Sequence, residues 1–160
     1  MISSLIRALN GTNDNDLLNF IQRTSSFGTT AIQCVAYGNG LFVAAGNSGM
    51  LATSSDGITW TQRTSSFGTN NIIAITYANG LFVAVGASGM IATSPNGITW
   101  TQRTTPFGEY FISGITYGNG LFVAGGANGG LITSPTGTTW TLRTSSFGTT
   151  AIQCVAYGNG

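Results

Sequence analysis

The chain has no histidine and no lysine, and it carries only five arginines, three aspartates and one glutamate in 160 residues. That scarcity leaves few groups able to act as a general acid or base. The net charge of +1 gives no basic face of the kind nucleic acid requires. It gives no polybasic patch for an anionic membrane surface either. No apolar run approaches the roughly 18 residues of a membrane span. The start, MISSLIRALNG, lacks a long apolar stretch and a clear cleavage site, so it does not read as a signal peptide. Cysteine is nearly absent too. Cys34 and Cys154 are copies of one repeat position, filled elsewhere by Ala74 and Gly114. Smallness is their shared property, which predicts a small buried residue. A disulfide would need the two copies to be neighbours in space.

What the chain has is glycine, 24 residues of it, placed between short β-branched runs where turns are expected. The stretch Tyr77 to Thr101, YANGLFVAVGASGMIATSPNGITWT, recurs forty residues earlier and forty later. Tyr37, Tyr77, Tyr117 and Tyr157 keep that spacing, as do Trp60, Trp100 and Trp140. A period near forty with several short strands per unit signals a β-propeller or a similar array.

Segmentation follows from the repeat. Residues 1–11 form a leader, and 12–30 a partial blade in which Asp16 to Thr24 is a degenerate last strand. Residues 31–70, 71–110 and 111–150 are three full blades, and 151–160 is a partial blade supplying a first strand. In blade 1 the predicted strands are AIQCVAYGNG, LFVAAG, MLATS and ITWTQRT, closed by turns at Asn47-Ser48-Gly49 and Asp56-Gly57. Apolar residues on both parities of LFVA predict a strand covered on both faces. The count is about fourteen strands in an all-β fold of four-stranded antiparallel blades. Three blades fall below the usual four to eight, and half-units leave open strand edges. Closure is therefore expected from assembly with copies of the same chain, or within a larger protein. Arg23 to Gly40 and Arg143 to Gly160 are identical at all 18 positions. Such close copies also permit strand exchange between chains.

The turn before the fourth strand is the most specific pattern. It reads Ser54-Ser55-Asp56-Gly57-Ile58-Thr59-Trp60, then Ser94-Pro95-Asn96-Gly97-Ile98-Thr99-Trp100, then Ser134-Pro135-Thr136-Gly137-Thr138-Thr139-Trp140. This resembles the Asp-box (BNR-like) repeat, S-x-D-x-G-x-T-W, of β-propellers such as sialidases, sortilin-like receptors and photosystem assembly factors. Two departures stand out: one residue is missing between acid and glycine, and the acid decays from Asp56 to Asn96 to Thr136. The resemblance implies a structural turn rather than a substrate site. YGNG-LFVAVG-type repeats also resemble those of bacterial secreted and phage tail-associated proteins.

No catalytic residues, metal ligands or cofactors are expected. A sialidase-like hydrolase needs a carboxylate pair, and Arg23, Arg63, Arg103 and Arg143 all fall on the fourth strand, away from a propeller axis. Glu109-Tyr110 offers no working pair if both lie on a strand, where neighbours face opposite sides. The run Asn13-Asp14-Asn15-Asp16 reads as a solvated loop rather than a calcium site. Candidate ligand-binding residues are Asn70, Asn71, Glu109, Tyr110 and Phe111, where the repeats diverge on exposed connections. The expected function is a non-enzymatic, multivalent binding or display module, lectin-like or protein-recognising. The alternative is a purely structural, self-assembling propeller fragment or designed repeat scaffold without ligand, and a sialidase-like hydrolase is the third reading. Homo-oligomers and a glycan or protein ligand are the expected partners, with neither nucleic acid nor membrane insertion. The compartment stays open, an extracellular or virion-associated setting being favoured over a membrane.

Overall fold

The structure, a computed structural model, describes residues 24–158. Blade 1 contains β1 (Ile32–Gly38), β2 (Leu41–Gly46), β3 (Leu51–Ser54) and β4 (Thr61–Arg63). Blade 2 contains β5 (Ile72–Ala78), β6 (Leu81–Gly86), β7 (Ile91–Ser94) and β8 (Thr101–Arg103). Blade 3 contains β9 (Ile112–Gly118), β10 (Leu121–Gly126), β11 (Leu131–Ser134) and β12 (Thr141–Arg143). Each blade is a four-stranded antiparallel sheet in chain order.

Local chemistry sets each connection. Asn39 and Gly40 both have positive φ, 50° and 74°, as a two-residue type I′ turn demands. They place Gly38 opposite Leu41 and so fix the β1–β2 register. The second connection is a 3-10 turn, Asn47–Gly49, closed by Met50 N–H donating to the Asn47 carbonyl at 3.1 Å. Gly46 is there for space: a Cβ would run into the Ala31 carbonyl oxygen.

The fourth strand is shorter than ITWTQRT. Ile58 and Thr59 donate their N–H groups to the Asp56 carboxylate instead of to a neighbouring strand, so the ladder starts only at Thr61. Twelve strands are formed among the described residues, against about fourteen expected. Of the degenerate strand Asp16 to Thr24, all but Thr24 lies outside the described residues, as do the leader and the Asn13–Asp16 run. Residues 151–158 form no ladder, because no described strand pairs with them.

The core lies between blades. Val43, Ala45 and Leu51 of blade 1 pack with Ile72, Phe82, Ala84 and Ala92 of blade 2. Val83, Val85 and Ile91 of blade 2 pack likewise with Ile112, Ile115, Phe122, Ala124 and Ile132 of blade 3. Both faces of β6 are thus covered, as its double-parity apolar pattern requires. β1 packs on β5 and β5 on β9, with β4, β8 and β12 at the far edges. Phe67 and Phe107 seal the two junctions, joining the same clusters.

The ends of the stack show what each blade normally covers. Phe27, Phe67 and Phe107 are 3%, 1% and 6% exposed, while Phe147 is 53% exposed. Ile72 and Ile112 are fully buried, while Ile32 is 44% exposed. Segment 151–158 nevertheless takes the place of a fourth inner strand. Ile152 is 5% exposed, its N–H donates to the Gly126 carbonyl at 2.9 Å, and Ser113 Oγ–H donates to its carbonyl. Tyr157 lies over Gly118 as Tyr77 lies over Gly38.

Candidate functional site

The Ser54–Trp60 turn is held by bonds from its own side chains to its own backbone. Ser54 Oγ–H donates to Asp56 Oδ1 at 2.8 Å and accepts the Gly57 N–H at 2.9 Å. Asp56 Oδ1 also accepts the N–H groups of Ile58 and Thr59, each at 2.8 Å. Donation from Thr59 first, then Ile58 and Ser54, stabilises the carboxylate and lowers its pKa to about 2. Asn96 accepts the same two N–H groups, from Ile98 and Thr99, both at 2.9 Å, and receives the Ser94 hydroxyl at 3.1 Å. In blade 3 the Thr136 hydroxyl accepts one backbone N–H, from Thr138 at 3.4 Å, and shares a 2.8 Å bond with the Thr138 hydroxyl, while Ser134 carries the turn by accepting from Gly137 at 2.8 Å. The acid is replaceable because the backbone donors need only a short polar acceptor.

The glycine and tryptophan of the turn connect blades. Gly57, Gly97 and Gly137 have φ of 70°, 72° and 75°, favourable for glycine. A Cβ at Gly97 would come within 3.0 Å of Leu41 and Val43 of the preceding blade. Trp100 and Trp140 donate Nε1–H to Gly97 and Gly137 carbonyls at 3.0 and 3.1 Å and join the clusters at the two junctions. Trp60, at the end of the stack, packs on Phe27, Ala44 and Ala52.

The divergent residues occupy the connections between the fourth strand of one blade and the first of the next. Asn71 Oδ1 accepts the Ser48 N–H at 3.0 Å, tying a 3-10 turn of blade 1 to blade 2. Asn70 Nδ2–H donates to the Phe67 carbonyl at 3.3 Å, and its Oδ1 accepts the Ser88 hydroxyl at 3.0 Å. Gly89, next to Ser88, abuts the backbone of Gly108 and Tyr110. Asn70, Ser88, Gly89 and Tyr110 therefore form one continuous row along a rim. Glu109 and Tyr110 lie in the turn that precedes β9, not on a strand, so the opposite-faces expectation does not apply to them. Tyr110 is 57% and Phe111 44% exposed, and Glu109 is exposed. The Phe111 carbonyl accepts the Ala127 N–H at 3.1 Å. Asn70 and Asn71 thus have structural duties, while the exposed Glu109 and Tyr110 side chains make no hydrogen bond among the described residues.

A second surface feature was not singled out by sequence. Each blade bears an open groove between its 3-10 turn and its outer strand. The volumes are about 520, 410 and 370 Å³, lined in turn by Ser48, Met50 and Arg63, by Ser88, Met90 and Arg103, and by Asn128, Gly130 and Arg143. Arg63, Arg103 and Arg143 donate Nε–H to Thr53, Thr93 and Thr133 hydroxyls at 3.0, 2.8 and 2.8 Å. The fixed ten-residue Thr-to-Arg spacing in every repeat is the signal that marks it. A further groove of about 570 Å³ runs between Arg103 and Trp140.

The cysteines are both free. Cys34 is half-buried, and burial pushes its thiol up to about 12, with the S–H directed at the Ala45 carbonyl. Cys154 is exposed, because no second strand covers its segment, so the expectation of burial holds only in part. Among the described residues no group of three or more His, Cys, Asp and Glu could hold a metal ion. No helix there is long and apolar enough to cross a membrane.

No family model matches the chain, and no curated protein matches it. Solved structures do. The chain is similar to the computationally designed Ika4 protein, with a TM-score of 0.65 and 14% identity over 87% of this chain and 88% of that one. It is similar to YCF48 bound to D1 peptide, at 0.63 and 18% over 76% of this chain and 41% of that one. YCF48 from Cyanidioschyzon merolae gives 0.59 and 14% over 71% of this chain and 37% of that one. The chain thus spans most of Ika4 but about two-fifths of the YCF48 chains. At these identities the likeness establishes the fold, a β-propeller-like repeat of four-stranded sheets.

Proposed function

We propose that this chain is a non-enzymatic propeller module for binding or display, working as an assembly of copies and offering its connecting rim to a glycan or polypeptide. One observation carries the reading: Glu109, Tyr110 and Phe111 form an exposed carboxylate–aromatic cluster at the end of the ordered Asn70–Ser88–Gly89 row. Aromatic faces with directional hydrogen-bonding groups on a rigid scaffold suit sugars and extended peptides alike. YCF48, of similar fold, is described as bound to a peptide, which supports a polypeptide ligand here. The self-satisfied turns at Asp56, Asn96 and Thr136 support the Asp-box resemblance and a purely structural role for them.

The experiment is a glycan array and a displayed peptide library, each probed with the chain and with the Tyr110→Ala/Phe111→Ala variant. A ligand class retained by the chain and lost by the folded variant is the expected result. No ligand from either collection, or binding indifferent to the substitutions, would favour a scaffold without ligand. A lectin, as in glycan-binding or phage tail-like surfaces, and a peptide receptor are separated by which collection responds.

A further inference from the structure

The two ends of the stack are the two halves of an internal junction. At the junctions inside the chain, Ile72 and Phe82 of one blade, or Ile112 and Phe122, pack on the apolar face of the blade before. The same positions in blade 1, Ile32 and Phe42, have no blade before them among the described residues, and Ile32, Val35 and Tyr37 are exposed at 44%, 56% and 59%. At the other end Leu121 and Phe147 of blade 3 are exposed at 37% and 53%. The surface that the first face fits is therefore a face of this same chain.

One complication decides how they meet. Segment 151–158 already occupies the inner position against β9, held by the Ile152 and Ser113 bonds. It is a copy of β1, since residues 23–40 and 143–160 are identical at 18 positions. A second chain docking its blade 1 on blade 3 would bring β1 to a place already filled by an identical sequence. Both cannot sit there. Because the two segments are the same, either one can pair with β2 at equal strength, so exchange costs no pairing energy. Docking the blade faces then adds burial that neither separate chain has.

We infer that copies join head to tail, with segment 151–158 of one chain adding to β2 of the next in place of that chain's β1. The register follows from β1: Cys154 opposite Ala45, Val155 opposite Ala44, Ala156 opposite Val43 and Tyr157 opposite Phe42. This is strand addition to a sheet edge, in a heterologous contact that closes or extends according to its rotation. It specifies the partner within the assembly reading above, and it rests on that reading.

The test uses the full chain carrying Cys34→Ala and Ala45→Cys. In the exchanged form the thiol introduced at position 45 of one copy faces Cys154 of another. Oxidation should then yield covalently joined chains that vanish with Cys154→Ser. Ala156→Glu is the second variant. Ala156 is exposed in the single chain, whereas its counterpart Ala36 packs on the Val43–Ala45 cluster. Ala156→Glu should leave circular dichroism unchanged and weaken self-association at least about tenfold, a loss of about 1.4 kcal/mol. Assembled chains with no disulfide between position 45 and Cys154, or full assembly by Ala156→Glu, would overturn exchange while leaving assembly standing. A chain that stays single at all concentrations would overturn both.

Discussion

Phenylalanine stands at one position in four successive repeats, and its cover differs, which makes a controlled energetic experiment. Phe67 and Phe107 lie inside the blade junctions at 1% and 6% exposure, and Phe147 lies at the open end at 53%. Removing a fully buried Phe loses its transfer energy and leaves a cavity, about 3–5 kcal/mol in total. Phe107 sits at the lower part of that range, because Gly130 beside its ring tip leaves backbone able to relax inward. Half-exposed Phe147 has about half of a buried side chain's roughly 1.5–3 kcal/mol to lose and encloses no cavity, so about 1 kcal/mol is expected. Urea unfolding at low protein concentration, with Phe67→Ala, Phe107→Ala and Phe147→Ala side by side, reads the difference as midpoint shifts at constant slope. Equal shifts at all three positions would refute a core placed between blades. At high protein concentration the Phe147→Ala shift should grow if a second copy covers that face.

Three other outcomes follow from the same geometry. Asp56→Asn should be nearly neutral at pH 7, because Asn96 makes the same bonds; Asp56→Ala should lower the melting temperature. The Asp56 pKa falls from 3.8 to about 2 on folding, so its contribution is complete above about pH 4 and is lost as pH drops toward 2. A melting-temperature profile from about pH 5 to 2 should flatten in Asp56→Asn. At protein concentrations low enough to keep the chain single, Ellman's reagent at about pH 8 should modify Cys154 quickly and Cys34 slowly, since the half-buried Cys34 thiol is raised to about 12; equal rates there would contradict the seating of β1, and strand exchange at high concentration should reverse the order. Gly46→Ala, whose Cβ would press on the Ala31 carbonyl oxygen, should cost about 1–3 kcal/mol by overpacking, measured by thermal unfolding.

The blades were legible because each local signal agreed with the repeat. Asn39-Gly40 specifies a two-residue hairpin on its own, and LFVA shows its double burial in its composition. The fourth strand was overdrawn, because ITWTQRT has β propensity throughout and nothing in it shows that Asp56 claims the N–H groups of Ile58 and Thr59. Strand character at 151–158 was legible as pattern, but a ladder needs a partner that pattern cannot supply. On the rim, divergence between repeats located Glu109 and Tyr110, yet it did not separate them from Asn70 and Asn71, whose amides tie blades together. The arginine grooves were missed because invariance across repeats reads as packing, and only the position of β4 beside the 3-10 turn reveals an open surface.

Solution mass by light scattering from a gel-filtration column tests most directly whether these three blades present two mating end faces. The predicted result is a discrete multiple of 16.5 kDa that persists on dilution into the micromolar range. A well-folded species of 16.5 kDa at every concentration would contradict it, and would mean that the exposed Ile32, Val35 and Phe147 faces need no partner of their own kind.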